Sequence, residues 1–133
     1  MTILGNAKSL DEIQTLNLSS QHLTDEILAN AEKFFIEMSS LDELDLSGNQ
    51  IRFMPELEMA EVRSLNLSHN NLQNVDFIEH LWTVEELDLR GNSVIDITEK
   101  MKVRVFLPRL EILGKYNFNV NIFLAKVSET FYP

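Results

Sequence analysis

Four stretches of this 133-residue chain repeat one spacing of apolar residues. The clearest is Leu41-Asp-Glu-Leu44-Asp-Leu46-Ser-Gly-Asn49-Gln-Ile51. It has leucines at positions one, four and six, asparagine at nine and an aliphatic residue at eleven. The spacing returns at Val62-Arg-Ser-Leu65-Asn-Leu67-Ser-His-Asn70-Asn-Leu72 and at Val84-Glu-Glu-Leu87-Asp-Leu89-Arg-Gly-Asn92-Ser-Val94. A weaker copy precedes them, Ile13-Gln-Thr-Leu16-Asn-Leu18-Ser-Ser-Gln21-His-Leu23, with Gln21 in the asparagine position. Within each copy the alternation has the period of a strand. Leu16, Leu18, Leu44, Leu46, Leu65, Leu67, Leu87 and Leu89 are expected to point into a core. The asparagines then stand where the chain bends away, satisfying backbone groups that the bend leaves unpaired. One unit cannot bury its leucines alone, so the units must stack.

This pattern resembles the leucine-rich repeat family, in its short intracellular class. The resemblance implies an α/β fold. It is a curved solenoid with a parallel sheet on the concave face, helices or turns on the convex side and a C-terminal cap. Repeat starts fall at Ile13, Leu41, Val62, Val84 and, loosely, Leu107. The first interval, 28 residues against 21 to 23 for the others, is longer by about a turn and a half of helix. Thr24-Asp25-Glu26 reads as a helix start, with Thr24 as cap, acids in the first turn and Leu23 and Leu28 as a hydrophobic staple. A convex helix is expected over residues 24–38, with Ile27, Ala31, Phe34, Phe35 and Met38 inward. In the second repeat Met54 and Leu57 continue the apolar series across the convex side, and in the third Val75, Ile78 and Leu81 do.

A short helix is expected from Thr98 to Phe106, leading into Leu107-Pro-Arg-Leu110-Glu-Ile-Leu113. This run resembles the cap of a nuclear and cytoskeletal subset of the family, with Gly114-Lys115 where that subset has Asp-Gly. The subset includes acidic leucine-rich nuclear phosphoproteins, a spliceosomal protein, a phosphatase-1 regulatory subunit and an axonemal dynein light chain. The repeat regions of a leucine-rich, WD-repeat family associated with the origin recognition complex look similar too. The chain therefore divides into a lead (1–12), four repeats (13–97), a cap (98–116) holding Leu107, Leu110 and Leu113, and an apolar tail (117–133). It reads as one domain, with a length that also fits the N-terminal piece of a longer protein. Ile3, Leu4 and Leu10 are placed to cover the first strand. Tyr116 to Leu124 with Val127, Phe131 and Tyr132 is too apolar for a disordered tail. It either folds back over Leu110 and Leu113 or forms a docking or homodimer patch; a monomer is the favoured state.

The net charge is −10. Residues 1–98 hold 18 acids and 5 bases, net −13, whereas residues 99–133 hold 3 acids and 6 bases, net +3. Such a body reads either as a solvated surface that keeps a leucine-rich chain soluble or, more sharply, as one that attracts basic partners and repels nucleic-acid backbones. The absence of cysteine excludes disulfides and suits a reducing compartment. No basic and apolar leader opens the chain, and no apolar run has membrane-spanning length. An intracellular setting is expected, nuclear before cytoplasmic. The sequons Asn17-Leu-Ser19 and Asn66-Leu-Ser68 fall on expected strands and read as coincidence.

No constellation in the sequence supports catalysis. His22, His69 and His80 lack metal-ligand spacing. Gly48 and Gly91 recur at one repeat position, as turn residues rather than a phosphate loop. No cofactor is implied, and the chain is expected not to be an enzyme. What remains is a face. Thr15, Glu43, Ser64 and Glu86 form one row across it. Asn17, Asp45, Asn66 and Asp88 form the next, Ser19, Ser47, Ser68 and Arg90 a third, and His69 lies at the edge. Such a face suits a basic or polar peptide or helix, such as a histone tail or a segment of a chromatin subunit. The resemblance also allows a targeting subunit of a phosphatase or a dynein-type adaptor.

Overall fold

A computed structural model describes residues 7–81, 83–93 and 111–113. Five strands are present: β1 (Thr15–Asn17), β2 (Glu43–Asp45), β3 (Ser64–Asn66), β4 (Glu86–Asp88) and β5 (Glu111–Leu113). They form one parallel sheet in chain order. Each strand comes from one repeat. The register joins equivalent positions: Leu16 to Leu44, Leu44 to Leu65 and Leu65 to Leu87.

Side-chain alternation decides which face is wet. Leu44, Leu65 and Leu87 are buried, whereas Thr15, Glu43 and Glu86 are exposed. Leu46, Leu67 and Leu89 form a second buried row. Each such leucine stabilises by roughly 1.5–3 kcal/mol through burial alone. Leu18 departs from its row and is only half-buried, with no earlier repeat against its open side among the described residues. Leu10, in a 3₁₀ turn over Leu10–Glu12, and Ala7 pack against this end of the core. Ile3 and Leu4 lie outside the described residues.

The long first repeat carries α1 (Asp25–Asn30) and α2 (Glu32–Glu37), parted at Ala31 rather than forming one helix over 24–38. The hydroxyl of Thr24 caps α1 by accepting from the Ile27 N–H at 3.3 Å. The buried stripe is Leu28, Phe35 and Met38, with Ala31 half-buried along it. Ile27 and Phe34, expected inward, are 48% and 47% exposed, while Leu28 is 2% exposed. Residues 28, 31, 35 and 38 keep the three-and-four spacing that holds one helix face on the core. Ile27 and Phe34 lie about 100° away from it.

On the convex side of the later repeats, Met54, Val75, Phe77 and Leu81 are buried and Leu57 partly so. The side chain of Ile78 lies outside the described residues. The helix expected at Thr98–Phe106, Leu107, Leu110 and the tail also lie outside them. The last strand corrects the cap register. Ile112, not Leu110, stands opposite Leu87, and Leu113 stands opposite Asp88. The repeat phase is therefore set by Glu111-Ile112, two residues later than a start at Leu107.

Candidate functional site

The candidate site is the exposed face of the sheet. Its first row follows the register Thr15, Glu43, Ser64, Glu86 and then Glu111. With neighbouring strands about 4.8 Å apart, the row runs roughly 20 Å, enough for one helix or extended peptide. The Glu43 and Glu86 side chains are exposed and make no hydrogen bond or salt bridge among the described residues. Glu111 extends the expected row by one strand. Its signal in the sequence is the acid immediately before an aliphatic strand centre, as in Glu43-Leu44 and Glu86-Leu87.

The second row is more constrained than an open recognition surface. The Asn17 side chain accepts the N–H of Ser19, and Asp45 that of Ser47. Asn66 accepts the N–H of Ser68 and Asp88 that of Arg90. Each distance is 2.8–3.0 Å. An oxygen acceptor on a short side chain is what this bend requires, so only Asn and Asp occur in the row. Asp88 is 7% exposed and is also gripped by Arg90, whose Nη2 stands 2.6 Å from Oδ2. The carboxylate is thus neutralised at the end of its own strand.

Behind the bends stands a ladder of buried asparagines. Asn49 donates to the carbonyls of Leu18 and Leu46 and accepts from the N–H groups of Gln21 and Leu23. Asn70 donates to Leu46 and Leu67 and accepts from Ile51. Asn92 donates to Leu67 and Leu89 and accepts from Leu72. Every amide therefore bridges its own repeat to the one before. Gln21 has no earlier repeat to bridge among the described residues. It is exposed and its amide donates to the Ser19 carbonyl.

The eighth position of each repeat turns the chain out of the strand with a left-handed φ. The values are 54° at Ser20, 67° at Gly48, 55° at His69 and 69° at Gly91. The N–H groups there donate forward: Ser20 to Ser47, Gly48 to Ser68, and His69 to Arg90. His69 is exposed at the face edge, where its backbone makes a required turn. At the opposite edge Arg63 pairs with Asp42, Nε to Oδ1 at 2.5 Å and Nη2 to Oδ2 at 2.8 Å. Hydrogen bonding from Arg63 holds the Asp42 carboxyl below its ordinary value, and Asp42 raises Arg63 in turn. No cluster of three metal-binding side chains exists among the described residues.

One strand per repeat, an asparagine ladder and a helix-bearing back define a leucine-rich repeat domain, the kind of fold that serves as a protein-interaction module. The family described as Leucine-rich repeat and WD repeat-containing protein 1, LRR, matches residues 4–121, and the chain belongs to it. The protein of that name from Danio rerio is 36% identical over 106 residues, covering 79% of this chain and 14% of the relative. The Mus musculus protein is 35% identical over 113 residues, covering 80% and 16%. The chain thus corresponds to a small part of these relatives. Among solved structures, an internalin C2 from Listeria monocytogenes is similar, with a TM-score of 0.67 and 28% identity. The match covers 90% of this chain and 50% of that one.

Proposed function

We propose that this domain binds a basic or polar segment of a protein partner on its concave face, within a nuclear, chromatin-associated assembly. The observation that carries the reading is the first row. Glu43 and Glu86 are exposed and make no hydrogen bond or salt bridge among the described residues, and Glu111 continues their register. Exposed acids held by no hydrogen bond or salt bridge attract a cationic segment without first having to break such a pair. The absence of cysteine in the chain supports an intracellular setting. The WD repeats in the names of the relatives suit a recruiting role for a domain of this type. A lysine- and arginine-rich peptide of histone-tail composition tests the proposal by fluorescence anisotropy at low salt. Combining Glu43→Lys with Glu86→Lys should weaken binding about tenfold or more, and added salt should weaken the wild-type interaction. Unchanged affinity in the double variant would remove the concave face from the proposal.

A further inference from the structure

The convex stretch of the second repeat differs from its neighbours. The first repeat places helices there, and the third a 3₁₀ turn at Asp76–His80. The second runs from Met54 to Met59 without helix, turn or bend. From Phe53 to Val62, no backbone N–H donates to another described residue. Its side chains alternate: Glu56 and Glu58 are exposed, Leu57 and Met59 half-buried against the core. Thr83 anchors the end of the run by donating its hydroxyl to the carbonyls of Met59 and Val62. A groove lies along the segment, lined by Glu32, Glu56, Leu57, Glu58 and Met59 among others.

We infer that this groove is a second docking surface, which takes an extended segment of a partner protein alternating basic and apolar residues. N–H groups with no acceptor among the described residues, along a run without helix or turn, offer a template for strand addition, where main-chain hydrogen bonds supply affinity and alternate side chains supply selection. The acids decide which strand is admitted. Charged residues on an open edge normally prevent pairing. Glutamates exclude neutral and acidic strands through uncompensated charge, and a basic strand cancels that charge. One ring nitrogen already stands against these acids, with Nε2 of His80 3.0 Å from Oε1 of Glu56. The partner's apolar residues would cover Leu57 and Met59, and its cations would meet Glu32, Glu56 and Glu58.

The probe is a blocked peptide alternating lysine and valine, titrated into the 133-residue chain and read by anisotropy and amide hydrogen exchange. Exchange at alternate amides between Glu56 and Ala60 should slow about tenfold in the complex, as strand pairing requires. Glu56→Lys combined with Glu58→Lys should weaken this peptide about tenfold while leaving the urea midpoint unchanged, because both side chains are exposed. Glu43→Lys combined with Glu86→Lys should leave the protection at Glu56–Ala60 intact. Absence of binding would overturn the inference, as would binding without protection at these amides. Loss of binding through the concave pair alone would also overturn it, while supporting the concave-face proposal.

Discussion

A methyl group on Gly91 would stand 2.5 Å from Nδ1 of His69, because the imidazole of one repeat covers the glycine of the next. Both residues occupy the left-handed bend at the eighth repeat position. Gly91→Ala therefore adds a side chain where φ is +69° and where a ring already sits. The expected loss is about 1–3 kcal/mol in urea melts. Combining it with His69→Gly removes the obstruction and should recover part of that loss, giving a coupling of roughly 0.5 kcal/mol or more. Strict additivity would mean that the ring moves aside without cost.

Asn70 and Asn71 are adjacent and differ in burial. Asn70 is 5% exposed and bridges two repeats, whereas Asn71 is exposed. Asn70→Ala should cost about 1–3 kcal/mol, because buried backbone groups lose their partner. Asn71→Ala should stay within about 0.5 kcal/mol. Equal effects in denaturant melts would contradict the asparagine ladder.

The core is expected to answer just as unevenly. Leu65 is fully buried in the central strand, so Leu65→Ala should cost about 2–5 kcal/mol. Leu28→Ala should fall in the same range, while Ile27→Ala, beside it on α1, should cost about 1 kcal/mol or less. The reverse order at 27 and 28 would return the helix to the orientation its sequence first suggested.

Those two residues mark where the sequence was legible and where it was not. Strand leucines such as Leu44, Leu65 and Leu87 were readable because a period of two leaves only two faces, and three copies agree on which is apolar. The helix face was not, because Ile27, Leu28, Phe34 and Phe35 offer two overlapping stripes and only packing against the core selects one. The left-handed bend was visible at Gly48 and Gly91 but hidden at Ser20 and His69, which hold the same bend despite a side-chain penalty. On the candidate face, the positions of Glu43, Asp45, Glu86 and Asp88 followed from alternation. That Asp45 and Asp88 hold their own turns did not, since residue type alone cannot separate a turn acceptor from a free acid. The cap register failed because Leu107, Leu110 and Leu113 mimic the repeat spacing two residues out of phase with Ile112.

The turn role changes what charge reversal should do. Asp45→Lys and Asp88→Lys remove an acceptor from a bend N–H, and the latter also removes the Asp88–Arg90 ion pair. Both should lower the urea midpoint, whereas Glu43→Lys and Glu86→Lys should not. Circular dichroism melts of the four single variants separate the groups. Equal midpoints would mean that the second row is as free as the first.

The Asp42–Arg63 pair gives a pH signature. Arg63 lowers the Asp42 pKa from 3.8, chiefly by hydrogen bonding to the charged form. A depressed folded-state pKa contributes stability above the unfolded value and loses it as pH falls through the folded one. The stability difference between wild type and Asp42→Asn should thus be full near neutrality and shrink as pH falls below 3.8. It should also shrink with added salt, since both groups are partly solvated. A difference that is flat across the acid range would contradict the pair.

The most direct test of the concave-face account is a titration of amide chemical shifts with the histone-tail-like peptide at low salt. The account predicts that the largest changes follow Thr15, Glu43, Ser64 and Glu86, one residue from each of four strands. It also predicts that Glu43→Lys with Glu86→Lys removes them. Changes confined to the helices at residues 25–37, or changes that survive the double variant, would contradict it.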